Sequence, residues 1–139
     1  MKKRTPVSSI MTSNMVTLHK TDSLEHAEQL FKNHSIRHIP VVDGNNIIGI
    51  LSYTDLLRIS FADAIDEDEQ DVDTIVYNMF TIEQVMAKKL VTVTTDTTVK
   101  EVAQILASKE FHALPVLQNN TLVGIVTTTD LINYLLDQF

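Results

Sequence analysis

The sequence contains no cysteine, which excludes disulfide bonds, thiolate metal sites and a cysteine nucleophile. It also contains no apolar run close to the roughly 20 residues that a membrane-spanning helix needs. The basic residues at the N-terminus lack the apolar stretch that follows them in a signal peptide. We therefore expect a cytoplasmic protein, whose 139 residues suffice for one compact domain or two very small ones that share a core.

Positive charge is scarce as well, and the net charge of −7 comes from a single segment. Seven acidic residues lie within positions 63–73, and the rest of the chain is neutral overall. A protein that binds nucleic acid usually presents a basic patch to the phosphate backbone, and an anionic membrane surface also attracts basic segments. The charge pattern therefore disfavours both nucleic acid and membranes as partners.

The motifs of common catalytic and phosphate-binding sites are missing too. The sequence has no glycine-rich P-loop, no GxGxxG fingerprint, no nucleophile elbow and no paired-carboxylate site. His34 and His38 have metal-pair spacing only on a continuous helix, and the approaching Pro40 predicts that the helix has already ended. We therefore expect neither enzymatic activity nor a metal site.

What the sequence does contain is one unit written twice. Residues 7–59 match residues 82–134 at a constant offset of 75, without a gap. Two copies are too few for a solenoid, so we expect them to bury their apolar faces against each other. The strongest matches place Pro40-Val41, Gly49-Ile50 and Thr54-Asp55-Leu56 on Pro115-Val116, Gly124-Ile125 and Thr129-Asp130-Leu131.

Each copy predicts the order strand, helix, strand, strand, helix. The first helix follows Asp22-Ser23-Leu24-Glu25, a sequence typical of a capping box, and its counterpart in the second copy follows Thr98. The second helix is expected to begin at Asp55, and at Asp130 in the second copy. The acidic but amphipathic residues 60–81 favour a helical linker with a solvated face over a functional acidic site.

A hairpin is predicted between the two helices of each copy. In the first copy, two apolar runs flank the turn sequence Asp43-Gly44-Asn45-Asn46, and in the second they flank residues 118–121. Pro40 lies near the start of the first hairpin strand. Because proline cannot donate to a ladder, it favours an edge strand or the beginning of a strand.

Hydroxyl and acidic side chains cluster where the hairpin runs into the second helix. A helix N-terminus presents unpaired N–H groups and a partial positive charge, so the Ser52 and Thr54 hydroxyls can join it in holding a phosphate. An ionised Asp55 can accept both hydroxyls of a ribose, and Gly49 lets a ligand or another backbone approach closely. The second copy repeats this pattern with Gly124, Thr127, Thr129 and Asp130.

The same residues have a simpler interpretation, in which Thr54 or Asp55 only caps the helix. A duplicated cap would recur just as a duplicated site would, so the repetition does not decide between them. The basic residues upstream favour the phosphate role slightly. Arg37 offers a bidentate fork beside His38, whereas His112 of the second copy carries charge only when protonated.

The segments HIPVVDGNNIIGILSYTDLL and HALPVLQNNTLVGIVTTTDLI resemble CBS domains, and the whole chain is similar to a free-standing tandem CBS pair, or Bateman module. The resemblance implies an α+β fold of two β-α-β-β-α repeats, packed sheet against sheet with pseudo-twofold symmetry. It also implies two inter-repeat clefts that bind AMP, ADP, ATP or another adenosyl ligand. A homodimer that senses such ligands and signals in trans to an effector protein is then expected.

The resemblance assigns ribose to Asp55 and Asp130, phosphates to the hydroxyls and basic residues, and the base to an apolar slot. Because Ala113 stands where the first copy has His38, we expect the first copy to bind phosphates more tightly. The main alternative is a ligand-free dimerisation or docking module. The predicted ligand-binding residues are Val16, Ile36, Arg37, His38, Ser52, Thr54, Asp55, Val91, His112, Thr127, Thr129 and Asp130.

Overall fold

The computed structural model describes residues 4–63, 77–109 and 111–139, which fall into two compact units. We call residues 16–89 the contiguous unit. The other, which we call the split unit, combines the chain up to Met15 with residues 90–139. Each unit is built around its own three-stranded sheet.

The contiguous unit contains a parallel strand pair and an antiparallel hairpin in the order β1-β2-β3. Helix α2 follows β3 without a gap, so the end of the hairpin fixes the start of that helix. The elements are β1 (Leu18–His19), α1 (Leu24–His34), β2 (His38–Asp43), β3 (Asn46–Ser52), α2 (Tyr53–Asp63) and the single-turn helix α3 (Ile82–Val85).

The split unit repeats this arrangement, with strand order β4-β5-β6. Its elements are a 3-10 turn (Val7–Ser9), β4 (Val93–Thr94), α4 (Val99–Ser108), β5 (Ala113–Gln118), β6 (Thr121–Thr127) and α5 (Thr128–Asp137). The predicted β-α-β-β-α order and the α+β class are therefore confirmed for both copies.

Each unit buries its own apolar cluster between its sheet and its helices. In the contiguous unit, Leu18, Leu51 and Leu56 are almost completely buried, and the Phe31 and Tyr53 rings meet edge to face with centroids 5.5 Å apart. In the split unit, Val7 and Val126 are completely buried. Burying such a side chain contributes about 1.5–3 kcal/mol, so these clusters supply the main driving force for folding.

The predicted hairpins are present, with two-residue turns of different geometry. Gly44 has a φ of +64°, whereas Asn119 and Asn120 both have positive φ, the pattern of a type I′ turn. The edge-strand prediction for Pro40 is wrong, because β2 is the central strand. Pro40 instead lies before Val41, where pairing with β1 begins, so no N–H is required of it.

The helix starts differ from prediction in two places. Ser23 rather than Asp22 caps α1, with its Oγ accepting from the His26 amide at 3.1 Å, while Asp22 accepts from the His19 amide at 2.8 Å. The predicted capping box between Asp22 and Glu25 is therefore wrong. Helices α2 and α5 begin two residues before the predicted starts, because the residues that cap them are Ser52 and Thr127.

Each sheet is extended at its outer edge by a segment that comes from the other sequence copy. Ala87 exchanges two backbone hydrogen bonds with Ile50, at 2.9 and 3.1 Å. Thr12 does the same with Ile125, at 2.8 and 3.0 Å. The first copy therefore begins in the split unit and continues in the contiguous one.

Residues 5–12, which we call the N-terminal strap, are fastened to the split unit along their length. The Val7 amide donates to the Thr97 carbonyl at 2.7 Å, and the Val99 amide donates to the Thr5 carbonyl at 2.8 Å. The Val7 side chain has no exposed surface. The strap therefore supplies both an edge strand and part of the core.

Gly49 and Gly124 lie where these added segments pass closest to a strand. A Cβ on Gly49 would overlap the Met86 sulfur and lie 2.9 Å from the Ala87 carbonyl oxygen. A Cβ on Gly124 would lie 2.6 Å from the Met11 sulfur. The close approach predicted at Gly49 is therefore made by a neighbouring chain segment.

The linker predicted at residues 60–81 lies partly outside the described residues. Helix α2 continues to Asp63, and residues 77–79 are helical, but positions 64–76 are not among those described. Within residues 4–63, 77–109 and 111–139, no helix is both long and apolar enough to cross a membrane.

Glu28 on α1 ties this helix to Tyr77. Burial works against ionisation of the Glu28 carboxyl, but hydrogen bonds from Lys32, at 2.7 Å, and from Tyr77 outweigh it, so the pKa of Glu28 is lowered. A carboxyl with a lowered folded-state pKa stabilises the protein above its unfolded-state pKa, and this contribution is lost as the pH falls through the folded-state value.

Glu28→Gln should therefore reduce the free energy of unfolding by about 1 kcal/mol at neutral pH, because it weakens hydrogen bonds to a charged acceptor. The difference from the wild type should shrink as the pH falls through and below the ordinary range of a glutamate. Urea titrations across that range measure it. Glu25→Gln, on an exposed position of the same helix, is the matched control. A pH-independent difference would contradict this account.

Candidate functional site

The start of α2 is organised by a reciprocal pair of hydrogen bonds between Ser52 and Asp55. The Ser52 hydroxyl accepts from the Asp55 amide at 3.0 Å, and the Asp55 Oδ2 atom accepts from the Ser52 amide at 3.1 Å. This is a capping box with aspartate in the third helical position. It explains why α2 begins at Tyr53, because the cap is Ser52 and Asp55 already lies within the first turn.

The start of α5 has the same construction. The Thr127 hydroxyl accepts from the Asp130 amide at 3.2 Å, and Asp130 Oδ2 accepts from the Thr127 amide at 2.9 Å. Thr127 is the N-cap, and α5 begins at Thr128. The two copies therefore conserve a geometry as well as a sequence pattern.

These caps bear on the two interpretations of the hydroxyl and acidic residues. Capping is real, but Ser52 and Thr127 are the N-caps, whereas Thr54 and Thr129 lie exposed at the second helical position. The cap uses only the Oδ2 atom of each aspartate. Capping and ligand binding are therefore compatible, because the hydrogen bonds of the cap do not use the Oδ1 atom of either aspartate.

The basic residues of the first copy lie beside this helix start. The Arg37 carbonyl accepts from the amide of Tyr53, the first residue of α2, at 2.8 Å. His38 is paired directly with Ser52 across β2 and β3, and is half-buried, whereas Arg37 is exposed. The contiguous unit therefore places the backbone of Arg37 and His38 beside the start of α2, which Ser52 and Asp55 cap.

His112 has the corresponding place in the split unit. Its carbonyl accepts from the Thr128 amide at 3.0 Å and from the Thr128 hydroxyl at 3.4 Å. Ala113, which pairs with Thr127, is buried. The split unit thus reproduces the backbone of the site with one histidine in place of the Arg37-His38 pair.

The predicted apolar contacts divide between the two units. Ile36 is half-buried against the core of the contiguous unit, which also contains the half-buried Val16 just before β1. Val91 packs against the core of the split unit. Each unit therefore contains both a capped helix start and one or more of the predicted apolar residues.

Arg58 was missed at the sequence level. Its Nη1 atom lies 3.7 Å from Asp55 Oδ1, the carboxylate oxygen that the cap does not use. The available signal was the Asp-x-x-Arg spacing, which places both side chains on one face of a helix. The second copy has Asn133 at the matching position.

Comparison with known proteins identifies this arrangement. The sequence model of the CBS domain matches residues 7–62 and 82–137. A crystal structure of the CBS domain pair of protein MJ0100, in complex with 5′-methylthioadenosine and S-adenosyl-L-methionine, is 25% identical with a TM-score of 0.79. That match covers 97% of this chain and 98% of the other.

Two longer relatives show the same module as part of a larger chain. Protein MJ1225 of Methanocaldococcus jannaschii is 30% identical over 94% of this chain, and its crystal structure superimposes with a TM-score of 0.81. A homoserine O-acetyltransferase of Methanococcus vannielii is 28% identical over 91% of this chain. The chain spans only 42% and 24% of these relatives' lengths, respectively.

Proposed function

This chain belongs to the CBS-domain family, and we propose that it is a non-enzymatic regulatory module that binds an adenine nucleotide or another adenosyl compound. The observation that carries the proposal is the capped helix start, present in both units. In each unit, one carboxylate oxygen of the aspartate takes no part in the cap, and the carbonyl of a basic residue accepts from the first amide of the helix. The adenosyl ligands in the related MJ0100 structure support this choice of ligand class.

The chemistry of the helix start suits the parts of such a ligand. The N-terminal end of α2 offers partial positive charge, and Arg37 adds a guanidinium, so phosphate oxygens find donors there. The Oδ1 atom of Asp55 can accept a ribose hydroxyl while Oδ2 maintains the cap. Ile36, half-buried next to Arg37, supplies apolar surface for the base.

Regulation follows if the ligand binds two conformations of the module with different affinity, because only differential affinity shifts a conformational equilibrium. The proposed output acts in trans, on an effector protein in the cytoplasm, from a homodimer of this chain. AMP, ADP and ATP are the proposed nucleotides, with S-adenosyl-L-methionine as the representative adenosyl alternative.

Isothermal titration of the purified chain with these four compounds tests the proposal. We expect saturable binding of at least one of them, accompanied by a rise in melting temperature, because a ligand of the native state stabilises it. Absence of binding by all four at millimolar concentration would rule the proposal out.

Asp55→Ala is expected to weaken binding of ADP by about ten- to a hundredfold, since it removes a charged acceptor for the ribose. Asp130→Ala should have a smaller effect on ADP, because the second copy has fewer basic residues. Gln84→Ala is the matched control, because Gln84 completes a separate capping box with Thr81 at the start of α3. If Gln84→Ala weakens ADP binding as much as Asp55→Ala does, the loss reflects destabilisation of the contiguous unit and not a contact between Asp55 and the ribose.

The second candidate function is a ligand-free interaction module. It is favoured by exposed apolar residues on α5 and at the chain end, namely Ile132, Leu135, Leu136 and Phe139. Under this alternative, Asp55 and Asp130 serve only as caps, and none of the four compounds raises the melting temperature. The thermal-shift measurement therefore separates the two candidates directly.

A further inference from the structure

The two capped helix starts have the same backbone arrangement but differ in the charged side chains that surround them. In the contiguous unit, Asp55 lies beside Arg58, and the Arg37 carbonyl accepts from the Tyr53 amide at the start of the same helix. At the matching positions of the split unit, Asp130 has Asn133 and His112. Counting unprotonated histidine as neutral, the first set has two cations for one carboxylate, and the second has the carboxylate alone.

Arg58 is well placed to respond to a ligand. Its side chain is 75% exposed, whereas that of Asp55 is only 20% exposed, and their closest atoms are 3.7 Å apart. Such a solvated pair contributes little to stability, so turning the guanidinium toward a ligand phosphate costs little. A guanidinium can then bind the phosphate with two parallel hydrogen bonds.

We infer that Arg58 is a specificity-determining residue, through which the α2 start selects adenosyl ligands that carry phosphate while the α5 start selects those without it. The inference rests on the proposed function, since it assigns a ligand class to each of the two proposed sites. It requires the sites to be chemically distinct although their hydrogen-bonded frames are equivalent.

Electrostatics give the direction of the preference. Both helix N-termini attract an anion equally, so the difference lies in the side chains. At α2, the positive charges of Arg58 and Arg37 together outweigh the single negative charge of Asp55, so a phosphate that Arg58 binds meets a net positive environment. At α5, the carboxylate of Asp130 repels a phosphate but favours the hydroxyls of a neutral nucleoside or the positive charge of a sulfonium.

The test exchanges the two differing residues in the full chain. The probes are ADP and 5′-methylthioadenosine, which share an adenosyl group and differ in phosphate. Asp130→Ala provides a background in which the α2 site is read, and Asp55→Ala one in which the α5 site is read. Dissociation constants are measured by isothermal titration at low and high salt.

In the first background, Arg58→Asn should weaken ADP binding about tenfold and change 5′-methylthioadenosine binding less than twofold. In the second, Asn133→Arg should strengthen ADP binding by a similar factor. Both ADP effects should shrink at high salt, because exposed charges are screened. Lys100→Asn, which removes a charge from an exposed position of α4, is the matched control and should change neither probe.

The result has a distinct meaning for each claim. If both probes bind but Arg58→Asn and Asn133→Arg leave the ratio of their affinities unchanged, the specificity role is wrong and the proposed function stands. The same conclusion follows if Lys100→Asn alters ADP binding as much as Arg58→Asn does. If neither probe binds the wild-type chain, the specificity role falls, and with AMP, ATP and S-adenosyl-L-methionine also inactive the proposed function falls too.

Discussion

Replacing Gly49 by alanine should lower the free energy of unfolding by about 2–3 kcal/mol, the cost of overpacking a well-packed region. The new Cβ would overlap the Met86 sulfur, which can move, and would lie 2.9 Å from the Ala87 carbonyl oxygen, which cannot move alone. That carbonyl accepts the Ile50 amide hydrogen bond, so relief of the clash also weakens the strand pairing. Equilibrium urea denaturation measures the loss.

Two other glycines provide the controls for Gly49→Ala. Gly124→Ala should cost less, because its nearest backbone atom, the Thr12 oxygen, is 3.1 Å from the added Cβ. Gly44→Ala meets no atom within 4 Å and should cost about 1 kcal/mol, through its φ of +64° alone. Equal losses for Gly49→Ala and Gly44→Ala would show that close packing is not what requires glycine at position 49.

Deleting the N-terminal strap, residues 5–12, should unfold the split unit while the contiguous unit keeps its structure. The deletion removes the completely buried Val7 and the paired hydrogen bonds between Thr12 and Ile125. Losing a buried aliphatic side chain costs roughly 2–5 kcal/mol, a large fraction of the stability of a small unit. Amide hydrogen exchange measures the effect, with Val126 losing protection and Leu51 retaining it.

Point substitutions within the strap show how much of its contribution to stability comes from side-chain packing. Val7→Ala should cost about 2 kcal/mol, through the cavity that it leaves. Ser8→Ala, on the exposed neighbouring residue of the same turn, should change stability by less than about 0.5 kcal/mol. If the deletion leaves the protection of Val126 unchanged, the strap is not a structural part of the split unit.

Local features of the fold were predictable from the sequence because they depend on neighbouring residues. The hairpins follow from alternating apolar runs around Gly44 and Asn119-Asn120, and the second helices from the apolar residues behind Asp55 and Asp130. Even the error of two residues at the helix starts is local. A hydroxyl and an acid three residues apart both suit a helix terminus, and only the hydrogen bonds show that the hydroxyl is the cap.

Which chain segments build each unit was not predictable from the local sequence. Nothing in the local pattern around Thr12 indicates that its partner is Ile125, because periodicity reports which face is buried and not by what. Close approach at Gly49 was foreseen, but its cause, Met86 with Ala87, required the structure. The spacing of Asp55 and Arg58 is visible in the sequence. Its significance, however, depends on which carboxylate oxygen of Asp55 is not used by the cap, and only the structure shows that.

The strap also dictates an order of events when the chain is made. The contiguous unit can form as soon as residue 89 leaves the ribosome, because all of its parts are adjacent in sequence. Thr12, however, finds its partner Ile125 only 113 residues later, compared with 37 for Ile50 and Ala87. Closing the longer loop costs about 1 kcal/mol more entropy. The strap is thus synthesised before the contiguous unit but finds its partner after it, and until then the edge of β6 is open to any other extended chain.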